Sequence, residues 1–248
     1  MEIKALILAA GYATRLYPLT KNKPKALLEV KGKTIAEHII RNIEGIPEIT
    51  EILIITNNKF SLEFEQWAEG FRSKKPVKII NDATLSEEDR LGAVGDIKFA
   101  VDEEELDADL LVIAGDNLFE YGLKKMYDYA KEKNADVIAC FETPSIDYVA
   151  EKFGVIELDR EKRLVGFEEK PKEPKTKIAA TACYYFKKET LKLVESYVKE
   201  GNNTDNTGDF IKYLISKKPV YGYVFREKWF DIGTFEALGK AREEFNGH

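Results

Sequence analysis

The sequence predicts an α/β fold in three layers, a mostly parallel mixed sheet with helices on both faces. Three observations predict it. Apolar runs of strand length alternate with stretches of helical length over residues 3–141, the pattern of repeated βα units. The first run, Ala5-Leu6-Ile7-Leu8, is apolar throughout, as in a strand buried on both faces. Beyond residue 150, three strand-like runs follow one another, which predicts antiparallel additions to the same sheet.

Taken in order, the first strand leads into a segment punctuated by Pro18 and Pro24. Thr34-x-x-Glu37 reads as a capping box, opening a helix with Ile35, Ile39 and Ile43 on one face. A strand at 51–56 ends at Asn57-Asn58, and a helix at 61–69 offers Leu62, Phe64 and Trp67 as buried anchors. A strand at 77–81, a polar loop at 82–90 and a helix at 91–102 follow, the helix in spite of Gly92 and Gly95. The strand at 109–114 ends in Gly115-Asp116-Asn117 and is followed by a helix at 123–133 and a strand at 136–141. Strands at 154–158, 164–167 and 178–186 precede helices at 188–198 and 208–216. A strand at 220–225 then leads through Trp229-Phe230-Asp231-Ile232-Gly233-Thr234 to a last helix at 235–245. No linker, repeat or low-complexity tract divides the chain, so residues 1–248 read as one domain.

Composition narrows the function. With 248 residues, 44% hydrophobic and 33% charged, the chain is globular and able to bury a substantial core. A net charge of −6 argues against a nucleic-acid surface, and no apolar run reaches the length of a membrane span. Cys140 and Cys183 sit in apolar runs without a C-x-x-C spacing, which fits reduced thiols in a cytoplasm. The two histidines, His38 and His248, neighbour no motif, which disfavours histidine-based nucleophilic or metal chemistry. A homo-oligomer is compatible with these features and not specified by them.

Four places carry chemistry. Leu8-Ala9-Ala10-Gly11 delivers a small-residue turn from a buried strand, with Arg15, Lys21, Lys23 and Lys25 close behind. Backbone N–H groups and fixed cations converging in this way would cradle a phosphate; an ordinary βα connection with a basic loop is the alternative. Asp116 lies just past the carboxyl end of a strand, where open α/β sheets collect functional groups and a carboxylate can hold Mg²⁺; a plain Gly-Asp-Asn turn would look the same. Asp231 stands before Thr234, a helix N-cap candidate, and Glu168-Glu169-Lys170-Pro171 also reads as a solvated turn.

The first segment resembles the signature of the sugar-1-phosphate nucleotidylyltransferases, or nucleotide-sugar pyrophosphorylases. Leu8-Ala9-Ala10-Gly11, Thr14-Arg15-Leu16, Pro18, Thr20 and Pro24-Lys25 fall in its register, with Ala13 where the family usually has glycine. Gly115-Asp116-Asn117, Trp229-x-Asp231-Ile232-Gly233-Thr234 and Glu169-Lys170-Pro171 match further motifs, and Gly154 matches a glycine motif upstream of the last. The match weakens at Asn81-Asp82, where a glutamine is usual, and at Ala180 and Ala182, which replace asparagine and glycine.

The resemblance implies a Rossmann-like fold of the nucleotide-diphospho-sugar transferase type, with a nucleotide-binding half near 1–140 and an acceptor-binding half near 141–248. It implies transfer of a nucleotidyl group from a nucleoside triphosphate, UTP or dTTP favoured, to a sugar 1-phosphate, releasing pyrophosphate. Mg²⁺ is the implied cofactor, held by Asp116 and Asp231. Arg15 is assigned to the leaving phosphates, Lys25 to the α-phosphate and Lys170 to the acceptor phosphate. Leu8, Ala10, Gly11, Asn81 and Gly92 are assigned to the nucleotide, and Gly154, Glu169 and Lys170 to the acceptor. A cytidylyltransferase acting on a non-sugar phosphoalcohol and a non-catalytic nucleotide-sugar-binding homologue are the alternatives.

Overall fold

In β1 (Ile3–Leu8) of the computed structural model, which describes residues 2–247, successive side chains face opposite sides of the sheet. Ile3, Ala5 and Ile7 enter one apolar core, while Leu6 and Leu8 enter another. That division sets the three layers. A small hairpin, β2 (Glu29–Val30) and β3 (Lys33–Thr34), leads into α1 (Ile35–Ile43), where Glu37 N donates to Thr34 Oγ1 at 3.1 Å as the capping box predicts. Next come β4 (Ile49–Thr56), α2 (Ser61–Gly70) and β5 (Val77–Asn81). Helix α3 (Ala93–Glu103), β6 (Asp109–Ala114), β7 (Asn117–Phe119), α4 (Leu123–Lys133), β8 (Asp136–Glu142) and the single turn α5 (Ile146–Val149) follow. The last third contains β9 (Val155–Leu158), β10 (Leu164–Glu168), β11 (Ile178–Phe186), α6 (Lys188–Lys199), α7 (Thr207–Lys217), β12 (Val220–Phe225), β13 (Trp229–Asp231) and α8 (Phe235–Glu244).

Strands β5, β4, β1 and β6 pair in parallel, in that spatial order. Strand β11 then runs antiparallel between β6 and β8, and β12 pairs parallel to β8. The antiparallel additions expected of the second half are thus β11 and the β9–β10 pair leaning on its start. Residues from α1, α2, α4 and α8 join the core on one face; those from α3, α6 and α7 join the other.

Three local expectations need correction. Leu62 is 60% exposed, because α2 turns Phe64 and Trp67 inward and leaves Leu62 on its outer side. The chain does not simply turn after Asp116: Asn117–Phe119 forms β7, which pairs antiparallel with β13. Helix α3 starts at Ala93, since Gly92 adopts φ 79°, outside the helical region.

Candidate active site

The carboxyl ends of β1 and β6 lie side by side, and the loops leaving them build a cleft of three connected hollows. The first, about 260 Å³, is bordered by Leu8, Ala10, Gly11 and Gly92. The second, about 360 Å³, is bordered by the loop carrying Arg15. The third, about 160 Å³, is bordered by Gly154, Glu169 and Lys170. Lys25 and Asp116 line both the first and the second; Asp231 lines both the second and the third. The residues expected to meet three different parts of the reactants therefore surround one junction. Asn81 is the exception: its side chain donates to Asn58 Oδ1 at 3.0 Å and accepts from Ala83 N at 2.9 Å. Its neighbour Asp82 borders the first hollow instead.

The loop after β1 is held by partners distant in the chain. Asn57 Nδ2 donates to Ala10 O at 2.7 Å, and Thr20 Oγ1 donates to Ala13 O at 2.7 Å. Ala13 stands at φ 51°, a left-handed conformation that glycine adopts more cheaply. A Cβ added at Gly11 would meet no atom within 4 Å, so internal packing does not require glycine there and the open side faces the cleft. Gly92 differs. Its Cβ would strike Thr204 O at 2.5 Å and Asp205 Cα at 2.6 Å, so glycine is needed for the close approach of the 204–205 backbone. The same backbone caps α3, whose Val94 N donates to Thr204 O at 2.9 Å.

Asp116 and Asp231 meet through the β7–β13 ribbon. Asp231 pairs with Asn117, and Ile232 N donates to Asp116 O at 3.0 Å. Asn117 pins this arrangement, donating to Thr181 O at 2.7 Å and accepting from Trp229 Nε1 at 2.8 Å. Lys25 Nζ reaches Asp116 Oδ2 at 2.6 Å. Burial opposes the lysine's charge, but Asp116 and then Asp231 outweigh it and raise its pKa. Asp231 is solvent-exposed in the cleft, yet the protein atoms crowded around it, and next the charge of Asp116, push its carboxyl up to about 6. In the third hollow Glu169 and Lys170 pair at 3.8 Å, and Lys170 takes φ 44°. Phe167 lies between two glycines, with would-be Cβ contacts of 2.4 Å from Gly154 and 2.6 Å from Gly208.

Among the described residues, no group of three or more His, Cys, Asp or Glu side chains forms a ready-made metal cage. The Asp116–Asp231 pair still fits one class of ion. Mg²⁺ takes oxygen ligands, keeps several waters and is commonly bound by one or two carboxylates together with substrate phosphates. The mutual repulsion that raises Asp231 is what a divalent cation would relieve.

Sequence reasoning missed several residues that shape this site. Asn57 and Asn117 looked like strand ends, and Asp96 was not singled out within its helix. Arg90 looked like part of a polar loop, yet it makes a two-point ion pair with Asp205 at 3.0 and 2.8 Å beside the first hollow. The spacing of Asp96 from Gly92 on one helix face was the available signal; the asparagines had none.

The fold has recognisable relatives. A solved UDP-glucose pyrophosphorylase, complexed with UDP-glucose, superposes with a TM-score of 0.80 over 98% of this chain and 97% of its own, at 21% identity. The bifunctional protein GlmU of Methanocaldococcus jannaschii is 32% identical over 92% of this chain and 51% of its own length. A Sulfolobus acidocaldarius protein described as a mannose-1-phosphate guanyltransferase is 32% identical over 94% of this chain and 60% of its own. The chain thus spans about half to three-fifths of the length of these two sequence relatives. The nucleotidyl transferase family model matches residues 4–246, across both cores and all three hollows, and the chain belongs to that enzyme family.

Proposed function

We propose that this chain joins a nucleoside triphosphate to a sugar 1-phosphate, forming a nucleoside diphosphate sugar and pyrophosphate. The observation that carries the reading is the convergence of three hollows on Lys25, Asp116 and Asp231. Base, triphosphate and phosphorylated acceptor each have a compartment, and the compartments meet where phosphorus would be transferred.

The chemistry asks little of the side chains beyond charge and position. A phosphate monoester has its second pKa near ~6, so the attacking oxygen is already ionised at neutral pH and needs no base. This agrees with the role of His38, whose Nε2 is engaged with Val30 O at 2.8 Å and whose ring stacks edge-on to Phe245. His248 lies outside the described residues. Arg15 would hold the leaving phosphates, Lys25 the α-phosphate and Lys170 the acceptor phosphate. Lys25 already rests between compartments, so the cation is in place before substrate arrives. Asp116 and Asp231 are the residues that would hold Mg²⁺, whose contribution there is to offset phosphate charge. The resemblance favours UTP or dTTP, whereas the carboxyls at the base end favour a base rich in N–H donors.

The test is a matrix of nucleoside triphosphates against phosphorylated acceptors, scored by pyrophosphate release with Mg²⁺ and with a chelator. Release with at least one hexose 1-phosphate, lost on chelation, is expected. Release with CTP and phosphocholine, and with no sugar 1-phosphate, would replace this reading by the phosphoalcohol alternative.

A further inference from the structure

Two carboxyl groups close the base end of the first hollow, and each carries an oxygen without a partner. Asp82 is 4% exposed; its Oδ1 accepts from Thr84 N at 2.8 Å and Thr84 Oγ1 at 2.7 Å. Its Oδ2 is buried and meets no donor among the described residues. Asp96, on the first turn of α3, is 7% exposed, and its Oδ1 is likewise buried without a donor. Both residues line the hollow that Leu8, Gly11 and Gly92 border. The cations of that hollow are committed elsewhere: Lys25 to Asp116 and Arg90 to Asp205.

Unpaired carboxyl oxygens deep in a cleft are costly, and a ligand that supplies N–H groups removes the cost. We propose that Asp82 and Asp96 select a nucleobase bearing an exocyclic amino group and disfavour uracil and thymine. The inference rests on the reading that the cleft takes a nucleoside triphosphate.

Counting donors decides between bases. Burial, and next the neighbouring Asp82, hold the Asp96 carboxyl up to about 8, so one proton resides on it at neutral pH. Even so, Asp82 Oδ2 and one oxygen of Asp96 remain acceptors, and two acceptors ask for two N–H groups. Uracil and thymine have one N–H flanked by two carbonyls; the Asp96 O–H can serve one of these, which leaves one carboxyl oxygen facing the other carbonyl. Cytosine and adenine have two on the amino nitrogen, and guanine adds the ring N1–H. A glutamine, usual in the family near this point, offers both a donor and an acceptor; Asp82 offers only acceptors when ionised.

Equilibrium dialysis with GTP, ATP, CTP, UTP, dTTP and ITP tests this directly, because ITP is GTP without its amino group. At least one amino-bearing nucleotide is expected to bind about ten-fold or more tightly than UTP, dTTP and ITP. Asp82→Asn supplies an N–H where the carboxylate only accepts and should narrow that ratio several-fold; Asp96→Asn, which like the protonated acid offers both a donor and an acceptor, should leave it nearly unchanged, with thermal melts confirming the fold of each. UTP, dTTP or ITP binding as tightly as the best amino-bearing nucleotide would overturn the inference, as would a ratio unchanged in Asp82→Asn. If UTP is preferred and pyrophosphate is released, this inference alone falls. If no triphosphate binds and none yields pyrophosphate, the functional reading falls with it.

Discussion

At the amino end of β6, Asp109 accepts from Tyr185 Oη at 2.6 Å, Lys187 Nζ at 3.0 Å and Lys188 N at 2.8 Å. Nearby Asp136 accepts from Lys187 N at 2.7 Å and Thr190 Oγ1 at 2.8 Å, and pairs with Lys218 at 3.1 Å, although burial still holds its carboxyl above the usual range. At the carboxyl end of the same sheet, Asp116 has Lys25, Asp231 is repelled by Asp116, and Asp82 and Asp96 have oxygens without donors. One end satisfies its buried acids and the other leaves them short. Acids at the first end hold elements together, whereas acids at the second line the cleft with their demand for donors unmet.

Substitutions should separate the two ends. Asp109→Ala removes the acceptor shared by Tyr185 of β11, Lys187 and the start of α6. A loss of about 3–5 kcal/mol in urea unfolding is expected, the scale for breaking a buried pair. Wild-type stability in that variant would mean the clamp is ornamental. Asp116→Asn and Asp231→Asn should do the reverse, lowering pyrophosphate formation about 10²–10³-fold while leaving the melting temperature nearly unchanged. Activity near wild type at saturating Mg²⁺ would remove that residue from the centre.

Asp96→Asn should be stabilising, with a dependence on pH that can be signed. Its folded pKa of about 8 lies above the ordinary 3.8, so the folded chain holds the proton more tightly than the unfolded one. Stability of the wild type should fall as pH rises from about 4 to about 8, and the asparagine variant should lack this slope. At pH 9 the variant should lead by up to about 5 kcal/mol, with the difference vanishing near pH 4. Parallel melting curves across that range would contradict the burial of an uncompensated acid.

Lys170→Ala should raise the acceptor KM by about ten-fold and leave the nucleotide KM nearly unchanged, since Lys170 lines the third hollow and not the first. A change confined to the nucleotide would move the acceptor compartment elsewhere. The smallest effects concern Ala13 and Ala182, both left-handed at φ 51° and 49°. Glycine at either should stabilise by no more than about 1 kcal/mol, because the relief of Cβ strain is offset by a more flexible unfolded chain. Destabilisation on thermal melting would show that the methyl groups pack.

What was legible in the sequence followed from periodicity and local spacing. Thr34 and Glu37 lie one helical turn apart, so their cap could be read directly, and the apolar runs of β1, β4 and β6 announced a buried parallel sheet. Leu62 misled because the helix periodicity alone does not fix which side of α2 faces inward. At the site, residues within motifs were visible by their type. Asn57, Asn117 and Asp96 were not, because their roles come from Ala10, Thr181, Trp229 and Asp82, which only the fold brings near. Asn81 and Asp82 show the limit most finely: adjacent residues at a strand end point to opposite sides, and the sequence alone did not say which faced the cleft.

The Asn117 joint has a consequence for synthesis. The ribosome delivers Asp116 more than a hundred residues before Asp231, which takes its place only when β13 pairs with β7. The hollow around Leu8 and Gly11 waits on Asp205 and Thr207, and the junction with both carboxylates waits further on the closing of one short ribbon.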